Sequence, residues 1–101
     1  MEQLTITPLV PPQQGLHLIG ELDMATVTQL ETAFEVVSDN GPVTLDLAQL
    51  TFIDSSGLYA IMEFARSRNG SGPVILASPT ATARRAIAIA GLDGQPGVEV
   101  R

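Results

Sequence analysis

The amino-acid sequence predicts an α/β domain built on a mixed, mostly parallel sheet of four or five strands, in the order ββαβαβαβ. Short apolar or alternating runs, typical of strands, recur between longer runs whose apolar residues are spaced three and four apart, typical of helices. Strands that alternate with helices across short Gly- and Pro-containing connections favour parallel pairing. The chain has 101 residues, of which 45% are hydrophobic, so we expect residues 1–101 to bury a core as a single domain.

The first two strands are predicted to form an antiparallel hairpin. Residues 4–7 alternate apolar and polar side chains, and residues 16–20 form a second strand-like run. The cluster PPQQG at residues 11–15 is a turn signal, and two strands joined by a short turn favour antiparallel pairing. We expect the segment GELD, residues 20–23, to end the second strand.

The first helix is predicted to begin at Met24, with Asp23 as its candidate N-cap, and to end at Asn40-Gly41-Pro42. Its apolar residues fall on one helical face, at Val27, Leu30, Phe34 and Val37. Met24 and Met62 are interpreted as residues that fill the core.

The second half of the chain repeats the alternation of strand and helix. Residues 43–47 predict a third strand, and residues 51–53 predict a separate, short extended piece. The second helix follows, with an apolar face at Leu58, Ile61, Met62 and Ala65. The run at residues 74–77 is apolar on both faces, which predicts an interior strand.

The end of the chain predicts one more helix and one more strand. Residues 81–90 form an alanine-rich helical run that starts after Ser78-Pro79-Thr80 and stops at Gly91. Residues 98–100 predict a last short strand.

Charge and composition exclude several classes of function. The net charge is −6, from 11 acidic and 5 basic residues, so direct binding to nucleic acid or to an anionic membrane is not expected. A partner with a basic patch would suit such a surface. The absence of cysteine excludes a disulfide scaffold, a thiol nucleophile and a thiolate zinc site. With no apolar run long enough to cross a bilayer and no signal-peptide pattern, we expect a cytoplasmic protein.

A run of small polar residues joins a predicted strand to a predicted helix in the segment LTFIDSSGLYAIM, residues 50–62. Asp54, Ser55 and Ser56 are all good N-cap residues, so the run could serve only to start the helix. Alternatively, one exposed hydroxyl could meet a kinase, because Gly57 adds no side chain and lets another molecule approach the backbone. A phosphate on Ser55 would be tolerated at a helix N-terminus, whereas a partner packed over residues 54–57 would be repelled.

This segment resembles the phosphorylation segment of the anti-sigma-factor antagonists, which are bacterial members of the STAS domain family. GELD at residues 20–23 is similar to the family's other signature, and ASP followed by ARR, at 77–79 and 83–85, is similar to the approach to its third helix. The resemblance covers essentially the whole chain. It implies a STAS-like domain with a mixed sheet and helices packed mainly on one side.

The resemblance also implies partner switching. The unphosphorylated protein would bind an anti-sigma factor that is itself a serine kinase, and so release the sigma factor. That kinase would phosphorylate Ser55, and a serine phosphatase would restore binding. The expected contact residues are Asp23, Asp54, Ser56, Gly57 and Leu58. Neither a catalytic residue nor a cofactor nor a metal is expected, and the protein is predicted not to be an enzyme.

The sequence departs from the family pattern in three respects. Tyr59 stands where a small glycine is common. Its ring could alter the kinase-facing surface or pack inward, and we expect it to pack inward. The third helix carries AIAIAGLDG in place of larger apolar residues, and we do not expect the family's usual final helix after the last strand.

Other functions fit the sequence less well. A STAS-type structural subunit of a lipid-transport or stress-sensing complex, without a phosphorylation cycle, is the alternative. A hydrolase is disfavoured because His17, the only histidine, is predicted on another strand from Ser55. Asp23 and Asp54 are too few ligands for a metal site. Asp46 is expected to face solvent or cap a turn, and Arg84 and Arg85 to lie on a solvated helix face. The oligomeric state is expected to be a monomer or a weak dimer.

Overall fold

The computed structural model describes residues 3–37 and 40–101. Over these residues the chain forms five strands in one sheet, three α-helices and a short 3₁₀ turn. The strands are β1 (Leu4–Pro8), β2 (Gly15–Leu22), β3 (Val43–Ile53), β4 (Val74–Ala77) and β5 (Val98–Val100). The helices are α1 (Val27–Phe34), α2 (Ser55–Ser67) and α3 (Ala81–Ala90), and the 3₁₀ turn is Leu92–Gly94.

The sheet confirms the predicted fold class. Its strands lie side by side in chain order, β1 antiparallel to β2 and every later pair parallel. Alternate residues of β2, β3 and β4 turn one face of the sheet into a continuous core, to which all three helices contribute buried side chains. The opposite face carries half-buried polar groups such as Thr44 and Asp46. Of the described helices, none combines the length and the apolar character needed to cross a bilayer.

Two predicted strand boundaries are wrong for a common reason. The segment GELD does not end β2 at Gly20, because Glu21 and Leu22 continue the parallel pairing with Phe52 and Ile53 of β3. Residues 51–53 are likewise not a separate piece but the end of one long β3. The register between the two strands shifts at two points, and these irregularities interrupt the alternation that a strand shows in sequence.

The first helix also begins later than predicted. Its N-cap is Thr26 rather than Asp23, and residues 24–26 form a turn that leads into it. The helix ends at Phe34, and residues 38 and 39, near its predicted end, lie outside the described residues. Met24 stands in the turn with 78% of its surface exposed, so the interpretation of Met24 as a core residue is wrong. Met62 is half-buried against the core, as expected.

The buried side chain of Arg68 links the C-terminal end of α2 to two loops. The Arg68 guanidinium donates hydrogen bonds to the carbonyl oxygens of Gly41 and Gly72. The residue is buried, and its guanidinium carbon lies 5.5 Å from the ring centroid of Phe64. The Phe64 ring in turn stacks on Phe34 of α1, with centroids 3.8 Å apart. Arg68 therefore links the α1–β3 connection, the α2–β4 connection and the contact between two helices.

Replacing Arg68 should destabilise the fold far more than replacing an exposed arginine. We expect Arg68→Ala to lower the free energy of unfolding by about 2 kcal/mol, because charged hydrogen bonds and the packing of the stem are lost together. Arg84→Ala, on the exposed side of α3, should change it by less than about 0.5 kcal/mol. Urea titration measures both, and equal losses for the two variants would contradict this role for Arg68.

Candidate functional site

Two neighbouring parallel strands end side by side and place two carboxylates at the same edge of the sheet. Leu22, the last residue of β2, pairs with Ile53, the last residue of β3. Asp23 and Asp54 follow them directly, so their backbones are separated by about one strand spacing, roughly 5 Å. The Asp54 N–H donates to the Leu22 carbonyl at 3.1 Å, which extends the ladder by one further bond. The sequence analysis predicted both aspartates as contact residues, but the pairing of Leu22 with Ile53, which brings them close together, could not be predicted from the sequence.

Asp54 is the N-cap of α2. Its backbone is extended, and its Oδ1 accepts hydrogen bonds from the N–H groups of Ser56 at 2.9 Å and Gly57 at 3.3 Å. Two of the donors that a helix leaves unpaired in its first turn are thereby satisfied by one carboxylate. Of the three cap candidates in the sequence, the structure assigns the task to Asp54.

Ser55 and Ser56 are therefore not needed as caps. Neither hydroxyl makes a hydrogen bond to any other group among residues 3–37 and 40–101. They differ in accessibility, because the Ser55 side chain is exposed and the Ser56 side chain is half-buried. The more accessible of two free hydroxyls is thus the one directly after Asp54.

The Asp23 carboxylate organises the neighbouring turn. Its Oδ1 accepts the N–H groups of Ala25 at 2.9 Å and Thr26 at 3.1 Å. The buried Thr26 hydroxyl donates to the Glu21 carbonyl at 2.9 Å, which ties this turn back to β2. Asp23 was predicted to cap the helix itself, whereas it caps the turn that leads into α1.

Position 57 requires a glycine because side chains of the core leave no room for a Cβ. A Cβ on Gly57 would lie 2.6 Å from Cγ of Leu22 and 3.1 Å from Cγ1 of Ile53. Leu22 is fully buried, so its side chain has little room to move aside. The sequence suggested that the missing side chain admits another molecule, but the space that a Cβ would occupy is filled by the protein itself. Leu58, the next residue, is half-buried and packs against the core.

The Tyr59 ring does not pack inward as predicted, since 59% of the residue is exposed. It lies one helical turn after Ser55, outside the face formed by Leu58, Ile61 and Ala65. The exposure of Tyr59 could be predicted from a helical projection of the sequence, because Tyr59 is offset by about 100° from Leu58 and 200° from Ile61. Phe52, 44% exposed, and Met24 add apolar surface close to Asp54 and Asp23 in the chain.

A groove of about 490 Å³ opens beside the two serines. Its wall is mostly apolar and comes from the first half of α2 and from the end of α3 with the turn that follows, at Ser55, Ser56, Leu58, Tyr59, Met62, Ala90 and Leu92. The contribution of Ala90 and Leu92 was not predicted. Nothing in the sequence marks these two residues, because they approach α2 only through the path of the chain after β4.

The single histidine is far from this site. Its Nδ1 lies 2.8 Å from Oδ2 of Asp46, on the sheet face opposite the helices. Asp46 therefore neither simply faces solvent nor caps a turn, because its Oδ1 accepts the N–H of Ala48 at 3.0 Å within β3, where the register with β2 shifts. Asp46 precedes Asp54 by eight residues along β3, which is roughly 25 Å of extended chain. His17 thus cannot serve Ser55 as a base, and the described residues contain no cluster of three groups that could ligate a metal ion.

Comparison with known protein families identifies the chain. The family model described as "Mlab, STAS domain" matches residues 9–100. The chain belongs to the STAS domain family. No curated protein sequence matches it.

Several solved structures share the STAS fold of this chain. The anti-sigma factor antagonist SpoIIAA in its unphosphorylated form matches with a TM-score of 0.71 and 23% identity, over 97% of this chain and 87% of that one. An anti-sigma factor antagonist from Mycobacterium paratuberculosis gives 0.79 and 23%, over 96% and 84%. The Bacillus cell fate determinant SpoIIAA in its phosphorylated form gives 0.66 and 21%, over 97% and 90%. At these identities the likeness establishes the fold.

The contact between Leu22 and Gly57 gives a direct test of how the site is supported. We expect Gly57→Ala to lower the free energy of unfolding by about 1–3 kcal/mol, because the added methyl overpacks Leu22, even though alanine is intrinsically the better helix former. Gly94→Ala is the matched control, since a Cβ on Gly94 would meet no atom within 4 Å. Urea unfolding measures both variants, and a Gly57→Ala protein as stable as the parent would show that Leu22 yields easily.

Proposed function

We propose that this STAS domain is an anti-sigma-factor antagonist whose binding is switched off by phosphorylation of Ser55. The observation that carries the proposal is the division of tasks at the start of α2. The Asp54 side chain accepts the N–H groups of Ser56 and Gly57 at the start of α2. The exposed Ser55 hydroxyl is therefore not needed as a helix cap, and phosphorylation would not remove a cap. The proposed partners are an anti-sigma factor that acts as the serine kinase and a phosphatase that reverses the reaction.

The position of Ser55 supports a switch that spares the fold. A phosphate adds about −1.5 to −2 charges, and the dipole of a helix favours an anion at its N-terminus. The domain should therefore keep its structure. A partner that covers the same surface would have to desolvate the phosphate beside Asp54 and Asp23, which disfavours the complex.

The proposed partner surface surrounds Ser55 at the edge of the sheet. It comprises Asp23, Asp54, Ser56, Gly57 and Leu58, of which Asp23, Asp54, Ser56 and Leu58 are half-buried and Gly57 is buried. The aspartates would present their remaining carboxylate oxygens, and Gly57, buried against Leu22, would shape this surface by letting α2 lie close to β2. An acidic edge of this kind favours a partner that is basic at the contact. The chain's one histidine lies too far away to act as a base at Ser55, which supports a regulatory role and not an enzymatic one.

The switch is tested by phosphorylation with the cognate anti-sigma kinase and ATP. We expect intact-mass spectrometry to show one added phosphoryl group, retained in Ser56→Ala and absent in Ser55→Ala. Ser55→Asp should weaken binding to the kinase by about tenfold or more, corresponding to about 1.4 kcal/mol, with an unchanged circular dichroism spectrum. Phosphate found on Ser56 alone, or no phosphate with the cognate kinase, would overturn the proposal.

A second candidate is a structural subunit of a lipid-transport or stress-sensing complex, with no phosphorylation cycle. The family model that matches this chain is described as an Mlab STAS domain and not as an anti-sigma factor antagonist, which supports this second candidate. Affinity purification from the native cell separates the two. Recovery of membrane transporter subunits or of a large assembly, equally with the parent and with Ser55→Ala, would support the structural role.

A further inference from the structure

The groove beside Ser55 has the size and the lining of a docking site. Its volume of about 490 Å³ lies in the range of roughly 300–1,000 Å³ that binding pockets occupy. None of the seven residues that line it carries a charge. Polar groups enter its wall mainly as the hydroxyls of Ser55, Ser56 and Tyr59. An occupant would therefore be held chiefly by burial of apolar surface.

The chain next to this groove is acidic. Asp54 precedes its first lining residue, Asp93 follows Leu92, and Glu63 follows Met62. Asp93 is exposed, and Glu63 is paired with Arg66 at 3.0 Å. The whole chain carries a net charge of −6. Charge complementarity therefore favours an occupant whose apolar group is flanked by Lys or Arg.

We infer that the groove between α2 and the end of α3 receives an apolar side chain of the partner protein, carried on a segment rich in Lys or Arg. Tyr59 is the principal contact on this side, because it is the large, exposed apolar residue of the groove wall. Aromatic residues of this kind commonly carry much of the energy of a protein interface. The inference rests on the proposed function, in which the kinase must cover the surface around Ser55.

The groove also supplies a physical reason why phosphorylation would block binding. Ser55 lines the groove itself, so a phosphate there would place a strongly hydrated anion at the mouth of an apolar cavity. Insertion of an apolar side chain would then require removal of water from that anion, which is costly without compensating hydrogen bonds. Ser55 therefore couples the two properties of this surface, because phosphorylation of its hydroxyl would weaken the docking of an apolar side chain in the groove.

The inference can be tested without the natural partner. The probe is a short helical peptide with Leu at positions i and i+4 and Lys elsewhere, titrated into the ¹⁵N-labelled full chain. We expect saturable amide shifts that cluster on residues 55–62 and 90–92. Tyr59→Ala should weaken binding about tenfold, whereas Tyr59→Phe should retain it. Val36→Ala, at an 86% exposed apolar residue elsewhere on the surface, should bind as the parent does.

Two altered peptides and one altered protein complete the test. Replacing Lys by Glu, or Leu by Ala, should abolish the shifts, and Ser55→Asp should weaken them because the groove mouth becomes charged. No saturable shift at millimolar peptide, shifts centred elsewhere, or equal affinity for Tyr59→Ala would overturn the inference. So would concentration-dependent dimerisation that Tyr59→Ala abolishes, because the groove would then belong to a second copy of this chain.

The peptide titration and the phosphorylation assay can fail separately, so their outcomes distinguish the docking inference from the proposed function. If the kinase phosphorylates Ser55 but the peptide does not bind the groove, the docking inference is wrong and the switch stands. If the peptide binds the groove but the cognate kinase does not modify Ser55, the docking surface stands and the phosphorylation cycle is wrong.

Discussion

The site depends on the hydrogen bonds between the Asp54 carboxylate and the first free N–H groups of α2. A helix start at the edge of a sheet must find acceptors for these donors. In this chain one carboxylate supplies them for Ser56 and Gly57. Because Asp54 meets this requirement, the exposed hydroxyl of Ser55 has no partner among the described residues. An accessible and dispensable hydroxyl is what a reversible modification needs.

The carboxylate is held in place by the ends of β2 and β3. The Asp54 N–H is fixed by the carbonyl of Leu22, and the side chain of Leu22 fills the space above Gly57. The glycine lets α2 lie directly against the end of β2. Asp23, at the end of β2, orders the adjacent turn in a similar way. Asp23 and Asp54 therefore cap two neighbouring connections, the turn before α1 and the start of α2. The exposed Ser55 lies beside them.

The order of elements and the hairpin could be predicted from periodicity and turn residues, as could the parallel sheet from the alternation of strands and helices. The bounds of β2 and β3 could not, because their irregular register hides the alternation. Asp54, Ser55 and Ser56 were all plausible caps, and only the geometry separates them. The exposure of Tyr59 could have been predicted, because its position in the helix lies off the face formed by Leu58, Ile61 and Ala65. Ala90 and Leu92 join the groove through tertiary packing, for which the local sequence carries no signal.

The division of tasks between Asp54 and Ser55 can be measured through stability alone. Urea unfolding of Asp54→Ala and Ser55→Ala, under the same conditions as the parent, compares the two side chains as caps. The account predicts a loss of about 1 kcal/mol for Asp54→Ala and a change within about 0.5 kcal/mol for Ser55→Ala. A loss for Ser55→Ala equal to that for Asp54→Ala would mean that the hydroxyl serves the helix, and the claim that it is free for modification would fail.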